Sequence, residues 1–124
     1  MASSRADTIT KLIKNLSSTT PDVEASAVID NDGLMIASAL AKDVDDDAVA
    51  AMSAALLGIG ERIVRELGRG EFEMVMTRGS TGYVILVRCG KDAVLSVLTS
   101  SSAKIGLIFL DVKRTAGEVS KLLG

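Results

Sequence analysis

The order of hydrophobic patterns predicts a mixed α/β fold, a five-stranded, mostly antiparallel sheet with both faces covered by helices. Three observations lead there. The 124 residues suffice for one domain and are hard to divide between two conventional cores. Helical and alternating periods follow one another as helix, two strands, long helix, three strands, helix (α-β-β-α-β-β-β-α). Connections within each strand group are also too short for parallel crossovers, which need about a dozen residues.

The first helix is expected from the period Ile9, Leu12, Ile13 and Leu16, with Ser3, Ser4 or Asp7 as its cap and a break from Ser17 to Pro21. Its narrow stripe suggests that it lies across another element and not through the centre of the core. Val23 to Ile29 reads as a strand, Asp30-Asn31-Asp32-Gly33 as a tight turn, and Leu34 to Ala39 as the antiparallel return. The turn aspartates lack the further oxygen ligands and distal glutamate of a calcium loop. They read as turn chemistry.

Lys42 to Asp47 is a charged bridge whose Asp45 is expected to cap a long helix from Asp46 to Leu67, stopped by Gly68. Val49, Met52, Leu56, Ile59, Ile63 and Leu67 form one apolar stripe of that helix. Ala48, Ala51, Ala55 and Gly58 form an adjacent strip of small residues, and Leu57 and Val64 carry apolar character further round. A surface helix needs only one apolar face. One side is therefore expected on the sheet and the other on a second protein, with the small strip permitting close approach at that contact. Gly58 and Gly60 each lower helicity by roughly 1 kcal/mol relative to alanine, a cost that close packing or a local bend would explain.

Phe72, Met74 and Met76 alternate with Glu71, Glu73 and Val75 as a half-buried strand, and Arg78 to Gly82 forms a turn. Tyr83 to Cys89 and Ala93 to Leu98 are denser apolar strands around the Gly90-Lys91-Asp92 turn. After Ser100 to Ser102, a last helix is expected from Ala103 to Leu123, capped by Ser102 and buried through Ile105, Phe109, Val112, Ala116 and Val119. The economical layout puts the long middle helix on one face and the terminal helices on the other. The apolar back of the middle helix then predicts self-association, with a twofold homodimer as first choice.

Composition removes much chemistry. With no histidine, the chain alone carries no imidazole catalysis and no His-based metal site. The lone Cys89 excludes an intrachain disulfide and multi-cysteine metal patterns; in its apolar run it reads as a buried thiol. No GxxxxGK[ST] motif occurs; Gly58-Ile59-Gly60 falls inside a helical period and Gly68-Arg69-Gly70 leads into a strand. Arg62 and Arg65 suggest an inserted arginine at a phosphoryl-transfer centre, but neighbouring Glu61 and Glu66 make helix ion pairing the better reading. A net charge of −2 without a basic block argues against nucleic acid. The absence of both an apolar run of ~18 residues and a secretory leader predicts a cytoplasmic protein without stable membrane insertion. The expectation is a non-enzymatic interaction module without a metal or cofactor.

Three segments carry a family resemblance: AVIDNDGLMIAS at Ala27 to Ser38, DDAVAAMSAALLGIGERIVRELG at Asp46 to Gly68, and GYVILVRCGKDAVLSVLT at Gly82 to Thr99. With a last helix through Ile105 to Arg114, the pattern resembles the roadblock/dynein light chain domain family, especially its short bacterial and archaeal regulators of Ras-like small GTPases. The resemblance implies a single roadblock-like domain over residues 1–124 with a short flexible N-terminal tail, built as an α/β/α sandwich on a five-stranded antiparallel sheet. It also implies a homodimer that pairs the helix Asp46 to Leu67 and joins edge strands at Glu71 to Arg78. Relatives in gliding motility bind a Ras-like GTPase, which carries its own nucleotide and Mg²⁺, and promote hydrolysis without an arginine finger. On this reading Val49, Met52, Ala55, Leu56 and Ile59 belong to the core or dimer contact, and Arg62, Arg65, Glu71 and Glu73 to the rim. The rival functions are a structural adaptor without effect on hydrolysis and, more remotely, a small-ligand sensor.

Overall fold

The computed structural model describes residues 4–124; the candidate cap Ser3 and the first residues of the expected tail lie outside them. The elements are α1 (Arg5–Thr19), β1 (Val23–Asp30), β2 (Met35–Ala39), α2 (Asp46–Glu66), β3 (Met74–Gly79), β4 (Gly82–Cys89), β5 (Ala93–Ser100) and α3 (Ile105–Leu123). The five strands form one antiparallel sheet in the order β2-β1-β5-β4-β3. This is the predicted succession. The first and last pairs of strands are thereby joined through β1 and β5 at the centre, while β2 and β3 form the edges.

Local chemistry sets the element ends. Ser4 Oγ accepts a 3.1 Å hydrogen bond from the Asp7 amide, and Asp45 Oδ1 accepts one of 3.2 Å from the Ala48 amide, each satisfying an otherwise unpaired donor in a first turn. Between β1 and β2, Asp30 Oδ1 accepts from the amides of Asp32 and Leu34, both at 2.9 Å, and Gly33 takes a φ of 86°. The turn reading of these aspartates holds. Ser102 does not cap α3. Its hydroxyl donates to Asp22 Oδ1, which Ser100 also reaches, and Lys104 occupies the cap position without a side-chain bond.

The alternation of strand side chains makes two cores. Val28, Ile85, Leu95 and Val97 face α1 and α3, where Ile9, Ile13, Val112 and Val119 complete the larger one. Ala27, Ile29, Leu86 and Val94 face α2 and meet Ala50 and Leu57. The first helix therefore sits deeper than its narrow stripe suggested, with Ile9 and Ile13 fully buried. Its stripe is narrow because α3 shares the same sheet face. On α3 the buried line runs through Ile108, Val112, Thr115, Ala116 and Val119, leaving the expected Ile105 and Phe109 half-buried.

The segment before β3 departs from simple alternation. The strand starts at Met74, so Glu71, Phe72 and Glu73 precede it, and Met76 is exposed. Phe72 and Val75 pack on the α2 side, whereas Met74 joins the other core. Gly68 and Gly70, both at positive φ, turn the chain here, and Phe72 reaches the sheet before the ladder begins.

A candidate protein interface on α2 and β3

The face of α2 that meets the sheet combines Leu57 and the partly buried Leu56 with small residues, while most of the longest apolar stripe is turned elsewhere. Ala50, Ser53 and Leu57 are buried, and at Gly60 an added Cβ would lie 2.6 Å from Val75 Cγ2 and 2.8 Å from Phe72 Cε1. Small side chains let the helix axis approach the sheet closely. The large residues are thereby turned outward: Met52 is 65% exposed, Ile59 58%, Ile63 51% and Leu67 64%. Ala51, Ala55 and Gly58 are also exposed. Close approach to the sheet thus explains Gly60, but not Gly58, whose Cβ position meets nothing.

Beside this stripe, α2 leaves part of the sheet uncovered. An open groove of about 270 Å³ has Val49, Met52, Ser53 and Leu56 on its helix wall and Val84, Leu86, Ser96 and Leu98 on its strand wall, with Thr77 of β3 at one side. The lining is predominantly apolar. Ser96 Oγ is buried there without a hydrogen-bond partner among the described residues. The strand-wall residues were absent from the expected site, although their period-2 spacing in two dense apolar strands was the available signal.

Strand β3 bounds the same region. Among the described residues it pairs only with β4, so its outer backbone groups form a sheet edge, and Met76, Thr77, Arg78 and Gly79 are exposed along it. An apolar helix face, a contiguous groove and an open strand edge are together suited to association with protein.

The expected polar rim is only partly assembled. Arg62 Nε donates to Glu66 Oε1 at 2.9 Å on the exposed helix surface, an ordinary i,i+4 pair worth about 0.3–0.5 kcal/mol. Arg65 and Glu71 line one open cleft of about 530 Å³ with Glu61 and Arg88; Glu73 borders a different cleft with Phe109 and Lys113. Glu71 and Glu73 therefore do not share a strand face. The better anchored arginine is Arg88, which sequence reasoning passed over. It donates to Glu61 Oε2 at 2.9 Å and Asn31 Oδ1 at 2.7 Å, tying β4 to α2 and to the β1–β2 turn. Among the described residues no three His, Cys, Asp or Glu side chains are placed to hold a metal. No helix of the structure is long and apolar enough to cross a membrane.

The Roadblock/LC7 domain matches residues 9–99, most of the chain, from α1 into β5. The chain belongs to the Roadblock/LC7 domain family. Membership places it among non-catalytic regulatory domains. Two Methanocaldococcus jannaschii proteins, MJ0310 and MJ1340, are each 37% identical to it over 103 residues, spanning 83% of this chain and 90% of theirs. Among solved structures, Myxococcus xanthus MglB superposes with a TM-score of 0.88 at 20% identity over 99% of this chain and 92% of its own. A Roadblock/LC7 domain from Streptomyces avermitilis gives 0.85 at 20% identity over 92% and 96%. At these identities the two likenesses establish a shared Roadblock/LC7 fold.

Proposed function

We propose that this Roadblock/LC7 chain is a homodimeric platform that binds a Ras-like small GTPase and modulates its GTP hydrolysis. The observation that carries the reading is the row of large exposed apolar residues Met52, Ile59 and Ile63 on α2, continued by Leu67 at its C-cap, together with an open groove and an unpaired β3 edge. Pairing α2 with α2 and β3 with β3 about one twofold axis removes both liabilities at once. Val49, Met52, Leu56 and Ile59 lie in or beside that contact, with Ala55 on its flank. The fold shared with MglB and the family resemblance in the sequence support the choice of partner.

The mechanism assigns no covalent step to this chain. Nucleotide and Mg²⁺ are the GTPase's own, and the platform holds the partner's loops in a productive arrangement through a composite face of both subunits. Arg62, Arg65, Glu71 and Glu73 serve at the rim of that face. Arg62 is already engaged by Glu66, which favours a surface role over insertion at a phosphoryl-transfer centre.

Light-scattering mass tests the reading, on the chain alone and mixed with a Ras-like GTPase from the same genome in GDP and GTP-analogue states. A dimer that gains mass with the GTP analogue, followed by faster hydrolysis in a turnover assay, is the expected result. A dimer that binds the GTPase without changing hydrolysis would make it an adaptor. A monomer at every concentration would overturn the platform.

A further inference from the structure

The modest net charge of the chain conceals a strong segregation by layer. Helices α1 and α3, with the cap residue Lys104, hold seven Lys and Arg against three carboxylates, a net +4, while the remainder holds seven against thirteen, a net −6. On the helical layer Asp111 and Glu118 both pair with Arg114, at 3.1 and 3.9 Å, and Asp111 also accepts from Thr20. Arg5, Lys11, Lys14, Lys104, Lys113 and Lys121 are exposed, and none forms an ion pair among the described residues. Asp7 is the remaining carboxylate of the two helices and lies in the first turn of α1; from neighbouring segments, Asp22 shares a cleft with Lys104, and Glu73 one with Lys113 and Lys121. Two large apolar side chains stand out from the same layer, Leu107 at 65% and Leu110 at 66% exposure. By helical spacing, Leu107, Leu110, Arg114 and Lys121 follow one outward line along α3 opposite its buried residues, with Lys113 beside it.

We propose that the outer face of the α1/α3 layer docks on an anionic lipid surface, with its lysines at the headgroups and Leu107 and Leu110 dipping between them. The form of the patch favours lipid over an acidic protein. Five of the six unpaired cations are lysines, point charges suited to a diffuse negative surface and not to bidentate recognition of individual carboxylates. They are spread over two helices and the cap before α3, and the clefts that line this layer hold one or two of them each. Protruding leucines amid basic residues are the features by which interfacial helices hold to membranes without crossing them. The −6 remainder also orients the molecule, since an anionic surface repels it and attracts the helical layer. The inference does not rest on the dimer or on the GTPase.

Flotation of the full chain with vesicles tests it, comparing phosphatidylglycerol-containing vesicles with pure phosphatidylcholine. At low salt the chain is expected to float with the first and not the second, and to detach as ionic strength rises through the range where the screening length falls below ~10 Å. Lys11→Glu with Lys113→Glu is expected to weaken binding at least ~10-fold, since each basic residue near the surface contributes about fivefold. Leu110→Ser is expected to weaken it several-fold, with the far-UV circular dichroism of every variant unchanged. Lys42→Glu with Arg69→Glu makes the same change in net charge away from the layer and should leave binding within about twofold. Folded protein that ignores anionic vesicles at low salt would overturn the proposal, as would equal losses from the two charge-reversal pairs. Capture of an acidic protein through Lys11 and Lys113 in the absence of vesicle binding would replace the lipid surface with a protein one.

Discussion

Gly58 and Gly60 are two positions apart on α2 and meet opposite environments. A Cβ at residue 60 would press against Val75 and Phe72, whereas one at residue 58 would enter open space. Gly60→Ala is therefore expected to destabilise the fold by about 1–2 kcal/mol net, and Gly58→Ala to stabilise it by up to ~1 kcal/mol, both readable from urea midpoints. The sequence showed that both glycines tax the helix but could not separate them, because the distinction depends on where Phe72 arrives. Cys89 offers a second test. Burial pushes its thiol from 9.0 up to about 12, a rise only partly opposed by the neighbouring Arg88. Between those values the unfolded chain has lost the proton that the folded chain keeps, so stability falls as pH rises, about tenfold in the folding equilibrium per pH unit at most. Below about pH 9 the contribution is flat. Relative to the parent chain, Cys89→Ala should show a shallower alkaline loss in denaturant titrations from pH 8.5 to 10.5.

Helix α2 was legible in the sequence in some respects and not in others. Its apolar circumference was legible in the sequence, as were its N-cap and its end near Gly68. The arc turned to the sheet was not. The large residues Met52, Ile59 and Ile63 make the more conspicuous stripe, yet contact with the sheet fell to Leu57 and to the small residues Ala50, Ser53 and Gly60, which allow a closer approach. Because Met52 and Ala55 are outside the fold's own core, Met52→Asp and Ala55→Arg should leave the circular dichroism intact while reducing the light-scattering mass to that of a monomer. A mass unchanged in both variants would remove α2 from the dimer contact. Asp45→Ala, by contrast, acts within the subunit: losing the bond to the Ala48 amide should cost ~1 kcal/mol in a urea titration. The start of β3 was misplaced for a different reason. Phe72 satisfies the same period as Met74, but the two glycines before it break the ladder that the period presupposes.

For the molecule as a whole, the order of elements and the antiparallel sheet followed from periodicity and short connections. The concentration of positive charge on one layer did not, since a total of −2 says nothing until α1 and α3 are known to share that layer. If association buries the exposed stripe of α2, folding is linked to assembly, and Tm should rise with protein concentration in a calorimetric series. Met52→Asp should remove that dependence. The proposed twofold axis, running perpendicular to a sheet continued antiparallel through β3, would keep both α2 helices on one side and both basic layers on the other.

The far edge of the sheet decides whether such growth stops. Strand β2 has five residues, and its pairing with β1 shifts register between Val28 and Ile29. A short strand beside a bulge is a poor template for a further chain, whereas β3 keeps an unbroken register with β4 over all six of its residues. Two copies joined at β3 would thus end in blunt margins at both sides, and the same hydrogen-bonding potential that favours a pair would give a fibre nowhere to begin.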